Sequence, residues 1–235
     1  MIGIAFALPA ESSDFVRLMT MRVARAGEGL EGIRGQIHGR SVAIVHTGVG
    51  QQRCQVQIEN FLRQSQFKYL ISAGFAGALN PELQIGDLLL AENFSSPELL
   101  RSPHLDCAAN GLFVGKLATV PKIIASRSER KRWAAESGAV AVDMETEFIA
   151  AACAAHQVPM LSLRVMSDTP AEPLPAPAEV LFDLEKQKTN FARLALYLVS
   201  HPSTLTRLAV FRRRVVLARR SLTEALDKLL RVDLI

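Results

Sequence analysis

The 235-residue chain has little of what would staple it, carry it across a membrane or let it read nucleic acid. Its three cysteines, Cys54, Cys107 and Cys153, are odd in number and stand at no metal-ligand spacing. A disulfide framework is therefore not expected, and a reduced, cytoplasmic interior is. No apolar run reaches the roughly 18 residues that a spanning helix needs. The opening Met1–Leu8 has no basic residue and runs straight into Pro9-Ala10-Glu11, so it reads as a first strand rather than an export leader. Aromatic residues make up only 6% of the chain, and none interleave with its basic stretch. With no recognised motif either, no nucleic-acid partner is expected. Internal repeats and low-complexity tracts are also missing.

What is present is ordinary globular material, 49% apolar and 21% charged, in a length that suits one sizeable core. The net charge of +4 is unevenly spread: residues 201–235 carry +5, which leaves −1 for residues 1–200. The basicity belongs to the tail. The expected organisation is an α/β domain over residues 1–200, with a mixed central sheet between helices, and a helical extension over residues 201–235 packed on it.

Apolar runs that end abruptly in acids organise the domain. Ala141-Val142-Asp143-Met144-Glu145 and Leu163-Arg164-Val165-Met166-Ser167-Asp168 are two such runs, separated by a helix-length segment from Glu147 to Gln157. In a right-handed crossover these strands would be neighbours, with both carboxylates over one crevice. Residues 2–8 form a third run, with Glu11 just beyond it. Strands are also expected at Gly32–His38, Ser41–His46, Phe67–Ala73, Leu88–Glu92 and Leu117–Val120. Helices are expected after Pro9, at Gln51–Gln64, at Ser126–Ser137 and from about 178 to 200.

Two glycine-rich stretches stand at other strand ends. Thr47-Gly48-Val49-Gly50 is either a tight turn or a source of free backbone N–H groups for an anion or a sugar oxygen. Gly74-Phe75-Ala76-Gly77 offers small residues that let a ligand approach the backbone. Residues 93–111 form a long irregular loop, and four prolines between Thr169 and Ala178 make a rigid flap beside Asp168. His46 is either a satisfied strand-end histidine or a group reaching the crevice. Neither it nor His104 has a partner at ligand spacing, so no metal is expected.

Taken together, Ile2-Gly3-Ile4 through Glu11, Ser72 through Gly77 with Ile85-Gly86-Asp87, Val142-Asp143-Met144-Glu145 and Arg164 through Asp168 resemble the motifs of the purine nucleoside phosphorylase and nucleosidase superfamily, in order and spacing. That superfamily includes the methylthioadenosine/adenosylhomocysteine nucleosidases, and within it Leu8-Pro9-Ala10-Glu11, Gly138 through Glu145, the proline-rich stretch after Asp168 and the arginine-rich final helix look most like the hopanoid-associated phosphorylases. The resemblance implies cleavage of an N-glycosidic bond in a purine, adenosine-type nucleoside, by an enzyme that assembles as a homo-oligomer. It implies that Asp168, steadied by Ser167, hydrogen-bonds N7 of the leaving base; for Asp168 to act as an acid at neutral pH, burial must raise its pKa. It implies that Glu145 accepts from the ribose hydroxyls and that Met144 packs on the sugar beside Asp143. Glu11 would orient or deprotonate water, unless it only caps the helix after Pro9. Gly48, Gly74, Phe75 and the segment ending at Ile123 would line the pocket.

One departure bears on the nucleophile. Phosphorylases of this kind hold phosphate with arginines and hydroxyls in the early loop and the glycine-rich loop, where this chain has Ala7-Leu8-Pro9, Ser72 and Phe75. Arg40, Arg53 or Thr47 could compensate. Phosphate as co-substrate and water therefore both stand, as does a non-catalytic nucleoside-binding relative; no other cofactor is expected. In the tail, residues 204–231 read as one helix with an aliphatic and a basic face. That is either a solvated surface helix or a peripheral contact with an anionic membrane.

Overall fold

A computed structural model describes residues 1–27, 30–103, 105, 112–172, 174–177, 180, 197, 200–201 and 204–235. The helix expected from 178 to 200, His104, Cys107, Pro173 and the last part of the loop at 93–111 lie outside the described residues, except for scattered positions.

Among the described residues ten strands form one sheet. Strand β1 (Ile2–Phe6) is buried along its whole length and opens into helix α1 (Pro9–Leu18), which Pro9 starts because its missing N–H costs nothing in the first turn. An antiparallel run follows, β2 (Thr20–Gly27), β3 (Leu30–Ile37) and β4 (Arg40–His46). After α2 (Gln51–Arg63) comes the long β5 (Tyr69–Ala78), then β6 (Leu88–Ala91), the short α3 (Pro97–Leu100), β7 (Leu112–Gly115) and β8 (Leu117–Thr119). Helix α4 (Arg127–Ser137), β9 (Ala141–Asp143), α5 (Thr146–Ala155), β10 (Met160–Asp168) and α6 (Thr204–Arg231) complete the chain.

The order β2-β3-β4-β1-β5-β10-β6-β7 puts four parallel strands, β4, β1, β5 and β10, at the centre. These strands are buried over most of their length, as expected for strands covered on both faces, with Ser72, Ser162, Arg164 and Asp168 as buried polar positions within them. Strand β2 was not foreseen, and β5 is longer than expected: it continues through the glycine-rich stretch to Ala78. Glycine and alanine lowered the strand signal there, but pairing with β10 as far as Gly77 overrides it.

The expected neighbourhood of the two acid-tipped strands needs correcting. Strands β9 and β10 are not adjacent; β5 lies between them, parallel to β10 and antiparallel to β9. Gly77 pairs with Val142 on one edge and with Asp168 on the other. The acids still converge on one spot, but they reach it from opposite edges of a shared strand.

Helix α6 is less of an appendage than its charge suggested. Its second half buries Ala218, Leu222, Ala225, Leu226, Leu229 and Leu230 in the same cluster as Ile4, Phe6, Ile44 and Ile71. Ion pairs from Arg214 to Glu172 and from Arg219 to Asp14 tie it down, and Asp227 Oδ1 lies 2.7 Å from His38 Nε2.

Candidate active site

The site lies where β5 loses its neighbour. Strand β1 pairs with β5 only as far as Ser72, and β9 joins the same edge only at Gly77. Backbone groups on the edge between must find other partners, because leaving them buried and unpaired is costly. Glu11 enters this gap. Its Oε1 accepts the Phe75 N–H at 2.9 Å and its Oε2 accepts the Leu8 N–H at 2.9 Å. The carboxylate thus caps α1 and seals the sheet fork, and each oxygen keeps a further lone pair. Burial pushes the Glu11 pKa above the ordinary 4.5, against the pull of those two amides.

Gly74 lies beneath it: a Cβ there would meet Glu11 Oε1 at 3.2 Å. Three residues on, a Cβ at Gly77 would meet Asp168 Oδ2 and Arg130 Nη1, both at 3.2 Å. The small residues of β5 make room for protein side chains. Since a strand rises about 3.3 Å per residue, the two glycines mark points roughly 10 Å apart along β5.

Asp168 closes β10 after a register shift beyond Met166, an irregularity that re-aims the strand end. Ser167 Oγ donates to its Oδ1 at 3.0 Å, as the motif led one to expect for this pair. Its other oxygen, Oδ2, is held by Arg130, which no sequence signal marked. Arg130 is one of several charges in the polar run Arg127–Glu136, and only the tertiary fold shows which of them turns inward.

The Asp143-Met144-Glu145 turn divides its carboxylates. Asp143 Oδ2 accepts from Arg164 Nε at 3.1 Å and from the Thr146 N–H and hydroxyl, while Oδ1 accepts from Thr119 Oγ1 at 2.9 Å. Its carboxylate is absorbed in holding the turn, although the residue still lines the pocket. Arg164, only 3% exposed, also donates to Ser72 O at 2.7 Å and to Ser72 Oγ at 2.8 Å. It anchors β9, β10, α5 and the open edge of β5 to one another. Glu145, by contrast, accepts the Gly50 N–H at 2.9 Å, so the turn after β4 presents its amide through Gly50. The Gly48 N–H goes back to Ala7 O, and Gly48, at φ +76°, packs under the Arg53 side chain. Burial first, then the nearby Asp143 charge, raises the Glu145 pKa to about 8.

These groups surround a cavity of about 220 Å³. Its lining includes Glu11, Glu145, Ser167, Asp168 and Arg130, with Phe75, Met144, Ile123, Val120, Val49 and Leu174 as apolar walls. A mainly apolar pocket with a few convergent polar groups is the usual form of a small-molecule site. Gly48 and Gly74 are not in the lining; His46 is not either, and its Nε2 lies 2.8 Å from Ser12 Oγ. Leu174 comes from the proline-rich segment, which Arg207 and Arg214 of α6 fasten through Leu174 O and Glu172. Cys54 and Cys153 are free and buried, and burial drives both thiols to about 12, which removes them as nucleophiles. Among the described residues no group of three or more His, Cys, Asp or Glu could hold a metal ion, and no helix is long and apolar enough to cross a membrane.

Similarity to known proteins agrees with this geometry. The chain is 27% identical over 120 residues to a 5′-methylthioadenosine/S-adenosylhomocysteine nucleosidase of Shewanella loihica, covering 51% of this chain. It spans about half the length of that relative. It is also 27% identical over 163 residues to a DeoD-type purine nucleoside phosphorylase of Alkaliphilus metalliredigens, covering 60% of this chain and 70% of the other. Among solved structures, the methylthioadenosine/adenosylhomocysteine nucleosidase of Streptococcus pneumoniae in complex with 8-aminoadenine superposes with a TM-score of 0.74 at 19% identity, covering 97% of this chain and 98% of that one. A futalosine hydrolase mutant of Helicobacter pylori gives 0.64 at 21% identity, covering 71% and 87%. These two share the fold. A sequence profile of the phosphorylase superfamily matches residues 1–109 and 96–200, nearly the whole α/β body, and the chain belongs to that superfamily.

Proposed function

We propose that the protein cleaves the N-glycosidic bond of an adenosine-type purine nucleoside, with water as the nucleophile. The observation that carries this reading is the distribution of charge around the cavity. Glu11 and Glu145, tied to the exits of β1 and β4 through Leu8 and Gly50, supply two carboxyl groups there, and the guanidiniums near them are already engaged, Arg164 by Asp143 and Ser72 and Arg130 by Asp168. A phosphate dianion would have to bind beside these two carboxyl groups while each nearby arginine is already paired with an aspartate. Arg40 is paired with Asp233 at the far end of β4, Arg53 is an exposed residue outside the cavity lining, and Thr47 Oγ1 sits against Phe6 O and Gly48 O. Water needs only an acceptor for its proton.

In this reading the ribosyl group gains positive charge as the bond to the base stretches. Glu145, as the anion, accepts from the ribose hydroxyls and faces that charge. Glu11 positions the water and takes its proton. Asp168, oriented by Ser167, serves the purine N7, and Phe75, Met144 and Ile123 enclose sugar and base. The reaction so written requires no metal and no organic cofactor, and it suits a cytoplasmic enzyme. The nucleosidase and phosphorylase relatives support the bond cleaved, but their names leave the nucleophile open.

The test is release of free base from adenosine, inosine and 5′-methylthioadenosine, with and without phosphate. Release that does not depend on phosphate supports hydrolysis; a strict phosphate requirement would make the protein a glycosyltransferase of the phosphorylase kind. Nucleoside binding without release would leave the non-catalytic relative. Full rate in an Asp168→Asn variant would refute the role given to Asp168.

A second reading concerns where the substrate is met. The hopanoid-associated likeness implies a lipid-linked nucleoside at a membrane surface, and α6 has one feature that favours it. Arg212, Arg213 and Arg220, with Val216 and Leu217, line a shallow groove, and among the described residues none of the three arginines has an ion pair. Flotation of the full chain with phosphatidylglycerol vesicles, compared with a variant carrying Gln at these three positions, tests it. Equal flotation sinks the idea. Assembly as a homo-oligomer follows from the family likeness alone and is read by sedimentation.

A further inference from the structure

Among the residues that helix α4 presents, Arg130 alone is buried, at 2% exposure. Ser126 caps the helix by accepting the Glu129 N–H at 3.1 Å, and Gly138 ends it in the left-handed region, so the helix has local reasons to form without Arg130. A buried guanidinium is costly, and an aliphatic side chain in the same place would often be neutral or better for stability. What Arg130 touches gives the reason for it. Nε donates to Ile124 O at 3.1 Å, Nη1 donates to Ala78 O at 2.8 Å, and Nη2 donates to Asp168 Oδ2. Two carbonyls therefore fix the plane of the guanidinium, and the carboxylate takes one edge. Three of its five N–H bonds are engaged; among the described residues the other two have no protein partner, on a side chain that lines the cavity.

We propose that Arg130 is a further catalytic residue: its two remaining N–H groups meet the purine as it departs, and its fixed charge stabilises the electron pair the base carries away. The inference rests on the glycosidic cleavage proposed above. In that step the bond between C1′ and N9 breaks with both electrons going to the base. The water oxygen bonds to C1′ and one water proton passes to Glu11, while Asp168, which must enter the step protonated, gives its proton to N7 and is left as the carboxylate that Arg130 holds. Arg130 transfers no proton, since a guanidinium does not titrate in this range. It acts where negative charge develops, anchored in advance by Ile124 and Ala78, which is how pre-organised donors lower a barrier. The same contact holds Asp168 in place until the base arrives. Gly77 is the structural corollary, because a side chain there would press on both groups.

The test separates an effect on the leaving base from an effect on folding. Whichever nucleoside wild type cleaves best is compared with its 2-fluoropurine analogue, a better leaving group of nearly the same shape. Arg130→Met should lower kcat by about 10²-fold with the ordinary base, the usual size for one such donor, and change KM by less than about threefold. With the fluorinated base the loss should shrink by about tenfold, and Arg130→Lys should recover part of the rate with both. Equal losses for the two bases, a loss confined to KM, or no loss would each overturn the role of Arg130. If Arg130→Met does not fold, Arg130→Lys is read on the same pair of substrates against the same criteria. Absence of base release in wild type would instead remove the glycosidic reading itself, and this inference with it.

Discussion

Replacing Glu145 with glutamine removes one titration from the pocket and leaves the rest of its geometry in place. The amide oxygen can still accept the Gly50 N–H that Oε1 accepts at 2.9 Å. Wild-type Glu145 titrates at about 8 rather than the ordinary 4.5, because it is buried and stands beside Asp143. Between those two values the folded chain holds a proton that the unfolded chain has released. Wild-type stability from this group is therefore fully present below pH 4.5, declines as pH rises, and levels off above pH 8. A displacement of this size at about 1.4 kcal/mol per unit sets a ceiling of about 5 kcal/mol. For a domain this long each kcal/mol moves Tm by about 2–4 °C, so the full effect is on the order of 10 °C. The expected result is that Glu145→Gln and wild type melt within about 2 °C of each other at pH 5. The variant should then gain steadily to pH 8, with a constant lead from there to pH 9.5. Glu11, also raised by burial, slopes wild type and variant alike and largely drops out of the difference. Calorimetric melts at half-unit pH intervals give the curve. A lead that does not vary with pH, or one that grows toward low pH, would refute the claim that burial holds Glu145 protonated in the empty site.

The same titration should appear in binding. If the ribose hydroxyls donate to an anionic Glu145, nucleoside binding at pH 7 expels a proton, and titration calorimetry in buffers of different ionisation enthalpy should show heats that track the buffer. Identical heats would count against that contact. Arg164→Met leaves Asp143 as a buried, uncompensated charge and should cost about 3–5 kcal/mol in urea unfolding, the range for breaking a buried pair; a cost under about 1 kcal/mol would mean that the pair does not hold the turn. Leu226→Ala, at a fully buried position of α6, should cost about 2–5 kcal/mol. A change within about 0.5 kcal/mol would return that helix to the status of an accessory.

How much of this was legible in the sequence depends on the range of the interaction. Most of the order of strands and helices was readable because each depends on local pattern: Ile2–Phe6 is wholly apolar, Arg40–His46 and Met160–Asp168 are mainly apolar and end in His46 and in Ser167-Asp168, and Gln51–Arg63 carries its buried Cys54, Ile58, Phe61 and Leu62 at helical spacing. Strand β2 was missed because Thr20–Gly27 mixes basic and small residues and its place comes from pairing with β3. The end of β5 was missed for a related reason, since a ladder with β10 overrides weak propensity. The acids Glu11, Glu145 and Asp168 could be found because they close strands, but their division of labour could not. Whether a carboxylate faces a cavity or a guanidinium is decided by residues far away in the chain.

Arg130 and Arg164 show this most clearly. Arg130 was an ordinary charge in the sequence and Arg164 a motif member with no role assigned, and both are buried at 2–3% exposure against an aspartate at the sheet fork. Arg164 takes Asp143 out of solvent use and so leaves Glu145 as the carboxylate of that turn that can serve a ligand. Arg130 holds Asp168 about three strand residues further along β5 and marks that end of the cavity as the place for an electron-rich group. The fork in β5 is what makes two such ends, because it opens a gap for Glu11 before β9 closes the edge again. A nucleoside has the same polarity, a sugar that turns positive and a base that turns negative as their bond breaks. The fold therefore sets the carboxyl groups of Glu11 and Glu145 at one end of the cavity and the Arg130–Asp168 pair at the other, and this asymmetry, more than any single motif, is what fits the cavity to the cleavage proposed above.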